Sequence, residues 1–127
     1  MIITDKDKIR SILSMPDIAE TFYDEKGHVD CFGDSVLYFF YRGCLFPSVL
    51  RGDVISIHAA IPKKYRGVNS IKAAKSVFSW VFENLGVKRI ASRIEKTRKN
   101  VSFYAIMCGM SYTHECDKYR YYEVING

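Results

Sequence analysis

The residues able to do chemistry converge on one stretch, Ile57-His58-Ala59-Ala60-Ile61-Pro62-Lys63-Lys64-Tyr65-Arg66-Gly67-Val68-Asn69-Ser70. An apolar run ends there, a short basic loop follows, and a long segment with helical periodicity begins at once. The first turn of a helix leaves backbone N–H groups without partners and carries about half a positive charge, so it suits a phosphate. Gly67 lets the backbone approach a ligand or take a positive φ, and Asn69 is among the few other residues that tolerate the left-handed region. Lys63, Lys64 and Arg66 add cations beside those dipoles. The plainer alternative is an ordinary basic turn leading into a helix.

Other candidates lie on the elements either side. His58 is on the strand entering the loop, on the face of Ser56 and Ala60. Its reference pKa near 6.5 suits it to deprotonate an ammonium at neutral pH; the alternative is a hydrogen-bonded sheet histidine. Glu95 ends the next strand, where a carboxylate orients an amine or pairs with Lys96 or Arg98. Arg98 opens the following helix and either reaches a phosphate or faces water. Tyr112 and His114 alternate along the last hairpin and should share a face bordering an acceptor. Cys108 before Gly109 reads as a buried thiol, and Trp80 in the long helix reads as core.

The elements that must position these residues follow from periodicity. Asp5 can cap a helix through about Ser14, carrying Ile9, Ile12 and Leu13 on one face, with Pro16 just beyond it. Residues 17–33 are charged and read as irregular. Ser35 to Tyr41 is an apolar run of the kind found in a strand covered on both faces. Arg42-Gly43 turns it into a strand near Cys44 to Leu50, where Pro47 suggests an edge or a bulge. Arg51-Gly52-Asp53 turns again into Val54 to Ile61, completing an antiparallel meander. The period then changes to 3.6: Ile71, Ala74, Val77, Phe78, Val81, Phe82 and Leu85 predict a helix over about 69–85, stopped by Gly86. Val87 to Ile94 reads as a strand, Arg98 to Cys108 as a second helix, and residues 111–115 and 119–124 as a closing hairpin. The expectation is a single α+β domain over residues 1–127, a mixed and mainly antiparallel sheet with flanking helices. Its one parallel pair joins the strands on either side of the long helix.

Composition narrows the classes. The 127 residues carry a net charge of +5, with 48% hydrophobic and 26% charged residues, which fits a folded domain and not a disordered chain. Between Ile61 and Asn100 stand eleven basic residues against two acids, Glu83 and Glu95, so that middle stretch is built to meet negative charge. No apolar run has the length of a membrane span and none follows Met1 in the manner of a signal peptide, so the expected location is cytoplasmic, without membrane partners. Cys31, Cys44, Cys108 and Cys116 form no Cys-x-x-Cys pair, and His28, His58 and His114 are not at zinc spacings. Reduced thiols and no metal are expected.

Element order and loop together resemble the GNAT superfamily of acyl-CoA N-acyltransferases, most specifically from Ile57 to Met110. The family's Gln/Arg-x-x-Gly-x-Gly/Ala loop, laid on this chain, runs from Arg66 to Ile71: Arg66 matches, Asn69 replaces the first glycine and Ile71 the second small residue. The family's helix signature ending in Gly-Phe places Arg98 at its Asn, Ala105 at its Tyr and Met110 at its Phe. That tyrosine often reprotonates the departing CoA thiolate. Ala105 cannot, and Tyr104 stands one residue away, about a hundred degrees around the helix. The phrase His58-Ala59-Ala60-Ile61-Pro62 through Tyr65-Arg66-Gly67 is most similar to small GNAT-fold proteins of tailed bacteriophages.

The resemblance implies acetyl-CoA as co-substrate, held by Ala60, Ile61, Lys64, Arg66, Gly67, Val68, Asn69, Ser70 and Arg98. His58, Glu95 and Tyr104 would be the catalytic candidates and a backbone N–H near Ala60 the oxyanion donor. The acceptor is an amine on a protein or a small molecule. The alternative is a phage protein that keeps the fold without catalysis, as a head-assembly or interaction module whose partners are virion proteins in the host cytoplasm or the virion. Nucleic-acid binding stands third, because the basic stretch lacks interleaved aromatics. A homodimer through the Ser35–Tyr41 and Tyr119–Tyr122 edges is the remaining partner expectation.

Overall fold

The computed structural model describes residues 1–18 and 35–126. The acidic connector expected over residues 17–33 lies almost wholly outside them, as do His28 and Cys31. Helix α1 spans Lys6–Leu13, and the Asp5 carboxylate accepts from the Asp7 and Lys8 amides at 3.1 and 3.2 Å, so the expected cap forms. Strands β1 (Leu37–Tyr41), β2 (Cys44–Arg51) and β3 (Val54–Ile57) build the meander. A 3₁₀ turn at Lys63–Tyr65 leads into α2 (Val68–Asn84), then β4 (Arg89–Glu95), α3 (Lys99–Met107), β5 (Ser111–Glu115) and β6 (Tyr119–Ile125).

The six strands lie in the order β1-β2-β3-β4-β6-β5, antiparallel throughout except for β3 and β4. The mixed α+β architecture is therefore the one the sequence predicts. Alternation along the strands sends side chains to two cores. Phe39, Phe46, Ile55, Ile57 and Ile90 meet Ala74, Val77, Phe78 and Val81 of α2, with Ala105 and Cys108 from the α3 end. On the other face Tyr38 and Leu45 meet Ile9, Ile12 and Leu13 of α1. Strand β1 is thus covered on both sides, as its unbroken apolar run requires. Trp80 packs edge-on against Phe39 at 5.7 Å, a core contact.

Two expectations change. Pro47 lies in an interior strand, not at an edge: its carbonyl accepts from the His58 N–H at 2.9 Å, and the proline ring removes only the return bond of that pair. Strand β6 is also interior, between β4 and β5, so Tyr119–Tyr122 offers no free edge for a dimer. The sheet's edges are β1, which residues 1–3 bridge in part, and β5, whose pairing with β6 is broken by a register shift between Tyr112 and His114. That bulge sends the two side chains to opposite faces: Tyr112 lies against Tyr122 and His114 stacks on Tyr121. No described helix is long and apolar enough to cross a membrane.

Candidate active site

A cleft opens because neighbouring strands part. β3 pairs with β4 only through Val54–Arg89, Ile55–Ile90 and Ser56–Ala91. Beyond Ser56 the chain stays with β2, where His58 donates to Pro47 at 2.9 Å and Ala60 donates to Leu45 at 2.7 Å. Meanwhile β4 follows β6 as far as Glu95, which lies opposite Tyr119. Backbone groups alternate in direction along a strand. With His58 and Ala60 turned to β2, the Ala59 N–H between them points into the gap. The resulting cavity is about 140 Å³. Its walls are apolar toward the helices (Phe46, Ala74, Phe78, Val101, Ala105) and polar toward the far mouth (His58, Arg93, Glu95, Tyr119).

The loop at the end of β3 is braced from several sides. Gly67, at φ 85° and ψ −143°, precedes α2, and no side chain caps the helix. A Cβ on Gly67 would meet nothing within 4 Å, so the space over the first turn is open. The first-turn amides of Val68 and Asn69 have no helical acceptor of their own. Arg66 has been drawn into the frame: its Nε donates to the Ile61 carbonyl at 3.1 Å and its Nη2 to the Asp17 carbonyl at 3.2 Å. The Asp17 carboxylate takes the Lys63 N–H at 2.6 Å. Ser70 donates both its N–H and its hydroxyl to the Gly67 carbonyl, at 3.1 and 2.8 Å.

Asn69 is helical, not left-handed; among the described non-glycine residues only Arg42 has a positive φ. The Asn69 side chain instead bridges to the β1–β2 turn. It donates to the Arg42 and Tyr65 carbonyls at 3.0 and 2.9 Å and accepts from the Arg42 Nε at 2.9 Å. Gly43 is obligatory beside it, because a Cβ there would lie 2.6 Å from the Tyr65 ring.

Neither a protein-family model nor a curated protein sequence matches the chain. Solved structures do. It superposes on aminoglycoside acetyltransferase AAC(6')-Ib, in complex with coenzyme A and kanamycin, with TM-score 0.70 and 13% identity over 98% of this chain and 92% of that one. The spermidine N-acetyltransferase SpeG of Vibrio cholerae gives TM-score 0.69 and 9% identity over 98% and 93%. The Campylobacter jejuni N-acetyltransferase PseH, in complex with acetyl coenzyme A, gives 0.64 and 14% over 75% and 71%. The fold is the GNAT acetyltransferase fold.

Within this GNAT fold the sequence candidates divide. His58, Glu95, Arg98 and Tyr104 all line the one cleft. Glu95 does not pair with Lys96, which instead bonds Glu115. The Tyr104 hydroxyl is committed: it donates to the Ser70 carbonyl at 2.9 Å, and burial, with Cys108 beside it, pushes its pKa far up. Burial likewise raises the Cys108 thiol, which stays protonated in the wall.

The amides of Gly67, Val68 and Asn69 gather at the open end of α2, and in the turn before it the exposed Lys64 ammonium lies over the Tyr65 ring at 5.1 Å. Some polar groups of Ala60, Ile61 and Ser70 are engaged within the chain. The Ala60 N–H belongs to Leu45, the Ile61 carbonyl to Arg66, and both Ser70 donors to Gly67. Sequence reasoning missed Ala59, Asp17, Arg93 and Tyr119. Strand alternation beside Pro47 identifies Ala59 once the register is known, whereas Asp17 stands 46 residues from its partner Lys63 and left no local signal.

Proposed function

We propose that this chain is an N-acetyltransferase that moves an acetyl group from acetyl-CoA to an amine. The observation that carries the reading is the parted β3/β4 pair. The cleft-facing Ala59 amide lies on the same chain that runs, eight residues later, into the uncapped start of α2 at Gly67. Such an arrangement offers an extended ligand a strand edge at one end and a phosphate site at the other. The ligand in two structural neighbours, acetyl coenzyme A or coenzyme A, has that shape.

The residues present fit it. Gly67 leaves room for a phosphate against the Val68 and Asn69 amides, with Lys64 as an accessory cation. Ala74, Phe78, Val101 and Ala105 give the pantetheine arm an apolar wall. Arg98 at the start of α3 adds positive charge at the cleft. Bound there, acetyl-CoA supplies an activated thioester.

Glu95 holds the acceptor ammonium in the cleft, and His58 takes its proton at a side-chain nitrogen. The Ala59 N–H meets negative charge developing on the acyl oxygen. Ala105 cannot return a proton to the leaving sulfur, and Tyr104 has already given its own to Ser70. A thiolate, with a thiol pKa of about 8.5 in the free group, departs without strong acid assistance. Tyr104 therefore acts as a positioning residue, spanning α3 and α2 across the cleft roof.

Ala105 favours a second reading, a GNAT-fold module that has lost catalysis; the phage head-assembly role is its most specific form. Calorimetric titration with acetyl-CoA separates the two. The enzyme reading predicts 1:1 binding at micromolar Kd, about −8 kcal/mol, abolished by Gly67→Trp. Absence of heat at millimolar acetyl-CoA leaves only the module.

A further inference from the structure

The acceptor face of the cleft carries a charge pattern that the reaction itself does not require. Paired residues of adjacent strands share a face, so Glu95 with Tyr119 and Arg93 with Tyr121 lie together on the side of the sheet away from α2. Arg93 and Tyr119 line the cavity, and the Arg93 guanidinium carbon sits 4.7 Å from the Tyr119 ring centre. The Lys118 ammonium lies 5.6 Å from the centre of that same ring. Neighbouring bases on these elements have carboxylates: Arg89 meets Glu123 at 3.5 Å, and Lys96 bonds Glu115. Arg93 and Lys118 make no ion pair among the described residues. Two cations are thus held against one aromatic ring; the ring and Arg93 line the cavity, Lys118 reaches the ring from outside that lining, and Glu95 is the single described carboxylate in it.

Resting on the acetyltransferase reading, we infer that the acceptor is an amine that itself bears an anionic group, a carboxylate or a phosphate, a few bonds from the nitrogen. Glu95 receives the ammonium and the Arg93–Tyr119–Lys118 cluster receives the anion. Arg93 and Glu95 are two positions apart on β4, about 7 Å at the rise of a strand, a separation that one short zwitterion spans. A guanidinium stacked on a ring keeps its in-plane N–H groups free for an oxyanion, so the Tyr119 contact orients Arg93 without consuming its donors. Among the described residues a polycation would meet one carboxylate in the cavity lining, Glu95, with the Arg93 guanidinium two positions away on the same strand face.

The test is thiol release from acetyl-CoA with matched acceptors: an α-amino acid against its amide, and phosphoethanolamine against ethanolamine, with spermidine as the polycation. The anionic member of at least one pair should show a kcat/KM about tenfold or more above its neutral partner, the worth of one charge-assisted hydrogen bond. The pair that responds distinguishes carboxylate from phosphate. Arg93→Gln with Lys118→Gln should bring the ratio close to one, through KM more than kcat. Equal rates within both pairs, a preference for spermidine, or a ratio that survives the double substitution overturns the inference. Binding of acetyl-CoA without turnover of any of these amines also overturns it, while leaving the coenzyme site standing. Failure to bind acetyl-CoA sinks the acetyltransferase reading beneath it.

Discussion

Tyr104 on α3 donates its phenolic hydrogen to the carbonyl of Ser70, in the first turn of α2, at 2.9 Å. The bond ties together the two helices that roof the cleft, and it occupies the one phenol near the position where a GNAT sequence often carries its acid. Removing the hydroxyl with Tyr104→Phe should cost about 1 kcal/mol of stability in a denaturant melt. It should lower kcat by less than about tenfold, well short of the loss expected for a general acid. A drop of about a hundredfold or more at unchanged stability would instead make Tyr104 the proton donor.

Ala59 gives a sharper test of where the reacting carbonyl lies. Its N–H faces the cleft while its neighbours bond β2, so Ala59→Pro deletes that donor and leaves the ladder intact. Loss of one oxyanion donor is worth about 10²–10³ in kcat. Thiol-release kinetics should show that fall, with Ala59→Gly retaining most of the rate. Equal activity in the proline variant would place the donor elsewhere.

At Gly67 the cost of a side chain is conformational. The residue stands at φ 85° and ψ −143°, and a Cβ would touch nothing. Gly67→Ala should therefore destabilise the fold by about 1–3 kcal/mol through backbone strain alone. Because the strain is relieved by shifting the amides at the start of α2, the affinity for coenzyme A should fall as well. A variant with native melting and native affinity would contradict this account of the loop.

The cysteines should separate by pH. Burial raises Cys44 to about 11, and burial raises Cys108 too, so both remain thiols through the neutral range. Exposed Cys116 is shifted the other way, its thiolate favoured first by the Lys118 and then by the Tyr119 backbone amide. A lowered pKa means more thiolate at a given pH, hence faster alkylation. Peptide mapping after brief iodoacetamide treatment at pH 7.5 should find Cys116 modified and Cys44 and Cys108 protected until the chain is unfolded. Modification of Cys44 at the rate of Cys116 would refute the burial argument.

The order of elements was legible because the hydrophobic period switches from 2 to 3.6 at Pro62 and because glycines end the helices and turns. The loop that begins α2 was legible for the same reason: strand, basic turn and helix are local patterns. The partnerships that define the site are not local. Asn69 reads as a candidate for positive φ, yet it works through its amide side chain on Arg42, 27 residues earlier. Arg66 reads as a phosphate ligand, yet Asp17 and the Ile61 carbonyl claim its guanidinium. Tyr112 and His114 obey strand alternation until the extra residue at Thr113 turns one of them over. The cleft depends on where β3 leaves β4, which is fixed by the pairing of each with its outer neighbour.

The central claim is that acetyl-CoA lies along the β3 edge with its phosphates at α2. The most direct measurement is an amide ¹H–¹⁵N titration of the whole chain with acetyl-CoA. The amides of Ala59, Gly67, Val68 and Asn69 should shift together and saturate at one equivalent, while those of β1 and the β5 edge stay in place. Unmoved Ala59 and Val68 amides at millimolar acetyl-CoA, or shifts confined to another surface, would contradict it.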